Sequence, residues 1–228
     1  MKIKHIFLAA LLLSGSSVQA QTQVSITGEI AGLTDSCKVS LVDEEGYEPK
    51  SLGMAKFKGG SFSFTAEIKT PRMVTLNIST VSAQSGKWMK NASIRTMLDG
   101  SPVVVKIDGE VIQKASRNIA TEALVNQAES GIMITGGKAM QQYAEYLAFI
   151  RSTEWAAQTL SRVEAEAWFY YHGDDNAISY MKPAKEKAEA ELSVLKHEFI
   201  LQHPDYAVSA ALVAAKAYKP FTYSAADF

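Results

Sequence analysis

The pattern of apolar and polar residues changes near Gly136 and Gly137. Before this point, short segments alternate apolar with polar residues, for example over residues 24–30 and 62–68, and glycine-rich turns such as Lys58-Gly59-Gly60 separate them. Alternation with a period of two is typical of half-buried strands. The sequence therefore predicts an antiparallel β-sandwich or barrel-like sheet over residues 21–135. Its last strand is predicted over 131–135, after a short helix over 118–128.

After Gly137 the apolar residues recur every three or four positions, which indicates α-helices. One such stripe begins at Met140 and a second at Met181, with a predicted loop at 172–176 between them. This pattern, two helices joined by a short loop, predicts an antiparallel helical hairpin. The segment His203-Pro204-Asp205 is expected to end the second helix and to precede a short third helix. Residues 136–228 are thus predicted to be α-helical, and the fold class is α+β.

The first twenty residues have the composition of a secretory signal peptide. A basic start with Lys2 and Lys4 precedes an apolar run over 6–13 and the ending Val18-Gln19-Ala20. That apolar run is too short to span a bilayer. No cysteine follows it at the position that a bacterial lipoprotein needs. We therefore expect a soluble exported protein that starts at Gln21 and resides in the periplasm or cell envelope.

Charge and cysteine content exclude several function classes. The chain has 23 Lys and Arg residues against 24 Asp and Glu residues, so nothing favours nucleic acid or an anionic membrane as a partner. Its one cysteine, Cys37, has no second thiol with which to form an internal disulfide. We expect Cys37 to be an inert thiol in a strand; a mixed-disulfide role is the alternative.

Candidate chemistry is sparse. His172, His197 and His203 do not have the spacing of a zinc site, although His172 with Asp174 and Asp175 is an alternative weak metal site. No Gly-x-Ser-x-Gly motif is present. The sequence therefore predicts no catalytic, cofactor-binding or metal-binding residue.

Aromatic residues crowd the first long helix, and they are Trp155, Trp168, Phe169, Tyr170 and Tyr171. Most of them are expected to pack the helical hairpin against the sheet. The alternative is an exposed patch that contacts a partner protein. These five residues are accordingly the candidate partner contacts.

Several short segments resemble a known family. They are residues 28–33, the strand-like 39–43, the segment 60–64 ahead of Pro71, and the glycine step into a helix at 136–141. These segments are similar to the β-rich domain of unknown function that begins many exported Bacteroidota proteins. In many of those proteins it precedes a TlpA-like thioredoxin domain.

A thioredoxin site needs two cysteines two residues apart, and this chain has no such pair. The redox activity that the resemblance implies is therefore not carried over. We expect a stand-alone, non-catalytic envelope protein that binds a partner protein or a small ligand, with no cofactor. The alternative is the N-terminal portion of a periplasmic thiol-disulfide oxidoreductase whose catalytic domain is missing from the chain. A hydrolase is a third alternative, which no residue pattern supports.

Overall fold

The computed structural model describes residues 22–32, 37–43, 49–81, 88–114, 119–120, 131–170, 179 and 181–217. The signal peptide predicted at 1–20 and the loop predicted at 172–176 lie outside these ranges. The described strands are β1 (Thr22–Ala31), β2 (Cys37–Asp43), β3 (Lys50–Lys56), β4 (Ser61–Ile68), β5 (Arg72–Val81), β6 (Trp88–Leu98), β7 (Val103–Asp108), β8 (Ile119–Ala120) and β9 (Ile132–Thr135). The described helices are α1 (Gly109–Lys114), α2 (Lys138–Tyr170), α3 (Lys182–Gln202) and α4 (Ala207–Ala217).

The strands form two sheets, as the alternating pattern predicts. One has the order β4-β1-β7-β9 and the other the order β3-β2-β5-β6-β8. In β1, Val24, Ile26 and Ile30 are buried while the residues between them are exposed, so this sheet has one core face and one solvent face. Buried side chains of both sheets belong to one core. The α+β fold class is confirmed, with two sheets that do not close into a barrel.

Two strand pairs are parallel rather than antiparallel. β1 pairs parallel to β7, and β6 pairs parallel to β8, while the other pairings are antiparallel. Parallel neighbours require a long connection, and β1 and β7 are separated by most strands of the other sheet. The described sheets are therefore mostly antiparallel, as predicted, and these two parallel pairs are the exceptions.

The predicted turn between β3 and β4 is confirmed, but the two strands do not form a hairpin, since β3 pairs with β2 and β4 pairs with β1 in the other sheet. Gly59 and Gly60 have φ values of 59° and 81°, a left-handed conformation that glycine adopts without steric cost. The backbone N–H of Lys58 donates to the Ser61 carbonyl at 2.9 Å, and the Ser61 N–H donates to the Lys58 carbonyl at 3.1 Å. This turn leads the chain from one sheet to the other.

The helix predicted over 118–128 is wrong at its start. Ile119 and Ala120 form β8, beside β6, and residues 121–130 lie outside the described ranges. A short helix occurs earlier instead, as α1, where the Asp108 carboxylate accepts the N–H of Glu110 at 2.9 Å. Six residues directly after a strand carry too little periodicity to reveal a helix. The last strand is confirmed as β9.

α2 and α3 form the predicted antiparallel hairpin. The rings of Tyr146 and Phe199 are in contact, with 5.2 Å between their centroids. The Glu164 carboxylate accepts a hydrogen bond from Lys185 at 2.5 Å. The residue numbers of these contacts rise along α2 and fall along α3, so the two helices are antiparallel. Pro183 lies in the first turn of α3, as predicted, where its missing N–H costs least.

Half of the hairpin extends away from the sheets. α2 has 33 residues. It is therefore about 50 Å long, against roughly 33 Å for a ten-residue strand. Among the side chains described over residues 151–164, only Ala157 is buried. We call α2 from residue 151 onward, with the first half of α3, the helical arm.

The other half of the hairpin packs on the five-stranded sheet. α2 contacts β6, and α4 contacts β5. Met73, Val74, Thr75 and Leu76 are all buried in β5, so both faces of this strand are covered. Phe199 and Val208 extend the core from the sheets into the helices. The short third helix is confirmed as α4.

Candidate functional site

A shallow groove of about 660 Å³ lies on the solvent face of the four-stranded sheet. It crosses β1, β7 and β9, and its outward side chains are Glu29, Ala31, Lys106, Asp108, Met133 and Thr135. We call this feature the sheet groove. Because the lining side chains stand on paired strands, the backbone holds their spacing fixed.

The strand register places three side chains of different chemical character in one row across the sheet. Glu29 on β1 is opposite Lys106 on β7, and Lys106 is opposite Met133 on β9. Neighbouring strands are about 4.8 Å apart, so the row offers a carboxylate, an ammonium and a thioether within roughly 10 Å. Among the described residues, no ion pair of 4.0 Å or less joins Glu29 to Lys106.

The groove also exposes apolar surface. Met133 is 56% exposed, and Val104, which points to the same face of β7, is 41% exposed. Asp108 adds a second carboxylate, one oxygen of which already accepts the N–H of Glu110. The arrangement suits a ligand that combines charged and apolar parts, since such a ligand would find a counterpart for each. Sequence reasoning missed this row because its members are far apart in the chain.

Cys37 lies at the start of β2, as expected. Its side chain is half-buried and packs against the core. Burial raises the pKa of the Cys37 thiol to about 11. The thiolate is the form that attacks disulfides, and at neutral pH it is about one part in ten thousand of such a thiol. The local environment therefore opposes nucleophilic chemistry at Cys37.

The aromatic residues singled out in the sequence are placed in part. Trp155 lies on the helical arm and is 51% exposed. Trp168, Phe169 and Tyr170 end α2, and Tyr171 lies outside the described residues. Trp168 is thirteen positions after Trp155, a distance of about 20 Å along a helix. Partner contact through these residues stays a prediction.

A second aromatic group joins α2, α3 and the start of α4. His203 stacks on Tyr206 with 4.5 Å between ring centroids, and Tyr206 also contacts Phe199 at 6.1 Å. The Tyr206 hydroxyl donates to the Glu145 carboxylate at 2.9 Å, which raises the pKa of Tyr206. His203 ends α3 as predicted, since its N–H donates to the Phe199 carbonyl at 3.0 Å. These contacts fix the start of α4 and are structural in character.

Within the described residues, no three His, Cys, Asp or Glu side chains come together as the ligands of a metal ion would. None of the described helices combines the length and the hydropathy that crossing a bilayer requires.

Comparison with known proteins gives a match to a family. A search of curated proteins found nothing similar to the chain. The family model of a domain of unknown function, DUF4369, matches residues 24–143. This range runs from β1 through both sheets to the first turns of α2. Because it covers more than half of the chain, the protein belongs to the DUF4369 family of domains of unknown function.

Proposed function

We propose that this protein is an exported module of the cell envelope that works by binding rather than by catalysis. The sheet groove is its binding surface. The observation that carries the proposal is the row of Glu29, Lys106 and Met133, which presents both charges and an apolar group on a rigid sheet face. The leader-like composition of residues 1–20 supports export.

Cys37 supports the non-catalytic part of this proposal. A dithiol exchange enzyme needs a thiolate and a resolving thiol. The chain has a single thiol, and burial raises the pKa of that thiol to about 11. Purified protein is expected not to accelerate the reduction of insulin disulfides by dithiothreitol, which should proceed at the rate of dithiothreitol alone. Steady reduction above that rate would contradict the proposal.

The binding surface is tested by affinity capture from envelope extract. Lys106→Glu reverses the central charge of the groove, and Met133→Asp removes its exposed apolar group. Lys58→Glu, in the exposed turn before β4, is the matched control because it makes the same charge change outside the groove. We expect the species held by the wild type to be lost in both groove variants and retained by Lys58→Glu.

Two results would show that the partner contact lies outside the sheet groove. Capture that survives both groove variants contradicts the groove as the binding surface. Capture lost in Trp155→Ala or Trp168→Ala, with retention by Lys106→Glu, would assign the contact to the aromatic residues of α2 instead. Unfolding midpoints of all variants, compared with that of the wild type, show whether a loss reflects misfolding.

The alternative proposal is the N-terminal portion of a thiol-disulfide oxidoreductase. It is supported by the resemblance of residues 28–33 and 60–64 to domains that precede TlpA-like thioredoxins. The genomic sequence after the codon for Phe228 tests it directly. An in-frame Cys-x-x-Cys segment would favour this alternative, and the binding module would then serve a longer enzyme.

A further inference from the structure

α3 has apolar residues on two of its sides. On the inner side, Ala188 and Phe199 are buried. On the outer side, Val194 is 57% exposed and Leu201 is 67% exposed. A helix turns by about 100° per residue, so Val194 and Leu201 lie roughly 140–160° around the helix from Phe199. The fold therefore uses one side of α3 and leaves a second apolar side in contact with solvent.

The outer side of α3 has the spacing of a coiled-coil seam. Ala190, Val194, His197 and Leu201 are all exposed and follow one another at intervals of four, three and four residues. We call these four residues the outer stripe of α3. Such spacing places side chains on one line along a helix, where they can pack against a second helix. The fold gives no reason for a valine there, because valine is a poorer helix former than alanine or lysine.

The charges beside the outer stripe are mostly negative. Glu186, Glu191 and Glu198 flank it on its two edges, and Lys187 lies at its start. Two of these carboxylates have a lysine of the same helix nearby, since Lys182 is 3.9 Å from Glu186 and Lys187 is 3.9 Å from Glu191. Both pairs are exposed and contribute little, so a partner's cations can compete with them. The outer stripe therefore offers an apolar line with carboxylates along its edges.

These charges decide against α3 of a second copy as the occupant. In a parallel pair of identical helices, Glu186 of one copy would face Glu191 of the other. In an antiparallel pair, Glu191 of one copy would face Glu198 of the other. Like charges across a seam oppose pairing in both orientations. Lysine or arginine at the same positions of a different helix would instead form ion pairs with these carboxylates.

We propose that the outer stripe of α3 docks a basic amphipathic helix of a partner protein. The apolar residues of that helix pack on Ala190, Val194 and Leu201, and its lysine or arginine residues contact Glu191 and Glu198. Amphipathic helices are recognised in this way, through apolar anchors spaced three and four residues apart. The outer stripe shares no residue with the sheet groove, so this inference does not depend on the groove.

Two synthetic peptides of about three heptads test this docking. Both carry leucine at the a and d positions; one has lysine and the other glutamate at the flanking e and g positions, so that neither pairs with itself. Fluorescence anisotropy of the labelled peptides measures their binding to the purified protein. We expect the basic peptide to bind at least tenfold more tightly than the acidic one, and its binding to weaken as the salt concentration rises.

Variants of the protein locate the contact. Leu201→Gln removes an apolar anchor without a change in charge and should weaken binding of the basic peptide at least tenfold. Val213→Gln is the matched control, because Val213 is 41% exposed on α4, outside the outer stripe. Glu191→Gln combined with Glu198→Gln should reduce the preference for the basic peptide. Glu67→Gln, which neutralises an exposed carboxylate on β4, should leave that preference unchanged.

Three results would overturn the proposal. The first is a wild type that does not bind the basic peptide or binds both peptides equally. The second is a Leu201→Gln variant that binds the basic peptide as the wild type does. The third, from sedimentation equilibrium, is a wild-type dimer that Leu201→Gln converts to monomer, which would assign the outer stripe to a second copy. Unfolding midpoints show whether each variant is folded, and Val194→Gln replaces Leu201→Gln if that variant is not.

Discussion

The Asp99 carboxylate accepts a hydrogen bond from the backbone N–H of Ala139 at 2.8 Å. Asp99 lies in the turn between β6 and β7, and Ala139 lies in the first turn of α2. The other carboxylate oxygen accepts the N–H of Ser101 at 3.0 Å. One side chain therefore ties the β6–β7 turn to the start of the longest helix and satisfies one of its unpaired N–H groups.

Removal of this carboxylate should lower stability in a pH-dependent manner. Burial raises the pKa of Asp99, but the hydrogen bonds from Ala139 and Ser101 outweigh it and hold the pKa below its ordinary value. A lowered pKa contributes stability above the unfolded-state value, near 4, and that stability is lost as the pH falls through the folded-state value. Asp99→Ala should therefore cost about 1 kcal/mol at pH 7 and less near pH 3.

Urea unfolding at the two pH values measures this difference. Glu198→Ala, an exposed carboxylate on α3, is the control and should change the free energy of unfolding by less than about 0.5 kcal/mol. A cost for Asp99→Ala that is the same at pH 7 and pH 3 would contradict the role of the ionised carboxylate.

Gly137 leaves room for this contact. A Cβ at Gly137 would lie 2.4 Å from an Asp99 carboxylate oxygen and 2.3 Å from the Ser101 hydroxyl. Asp99 cannot move aside without losing the N–H of Ala139, so Gly137→Ala should destabilise the fold by about 1–3 kcal/mol. In an Asp99→Ala background the cost should shrink, which a double-mutant cycle measures. Equal costs in both backgrounds would show that Asp99 is not the group that excludes a side chain.

Arg72 and Asp43 form an ion pair between β5 and β2. The Asp43 side chain is 5% exposed, so Arg72→Met would remove the guanidinium from a buried carboxylate. We expect a loss of about 3 kcal/mol in the free energy of unfolding. Lys187→Met is the control, because it breaks an exposed pair with Glu191 on α3 and should cost less than about 0.5 kcal/mol. Similar losses for the two variants would show that burial adds nothing to the Arg72 pair.

Cys37 should react slowly with iodoacetamide at neutral pH. Its raised pKa leaves roughly a hundredfold less thiolate than an ordinary cysteine has. The labelling rate should increase about tenfold per pH unit up to pH near 11, as followed by mass spectrometry. Ser51→Cys in a Cys37→Ala background supplies an exposed reference thiol on β3. Labelling of Cys37 as fast as that reference at pH 7 would show that the thiol is not protected.

Local sequence patterns predicted most of the strands and helices, but they did not predict which strands pair with each other. Alternation located β1 and β4, and three-to-four spacing located the stripe of Met140, because both signals arise within a short segment. The parallel pairing of β1 with β7 carries no such signal, since it depends on how distant strands stack. The row of side chains in the sheet groove depends on the pairing of β1 with β7. Glu29, Lys106 and Met133 are ordinary outward residues until the sheet order sets them side by side.

α2 has a mechanical consequence for the protein. Its N-terminus is held to the β6–β7 turn, while its far end carries Trp168 beyond the sheets. Tyr143, Leu147 and Ile150 hold the first part of α2 in the core, so a tilt would occur where the helical arm leaves it at residue 151. The twenty residues from there to the end of α2 are about 30 Å long, and a tilt of roughly 10° would displace the tip by about 5 Å.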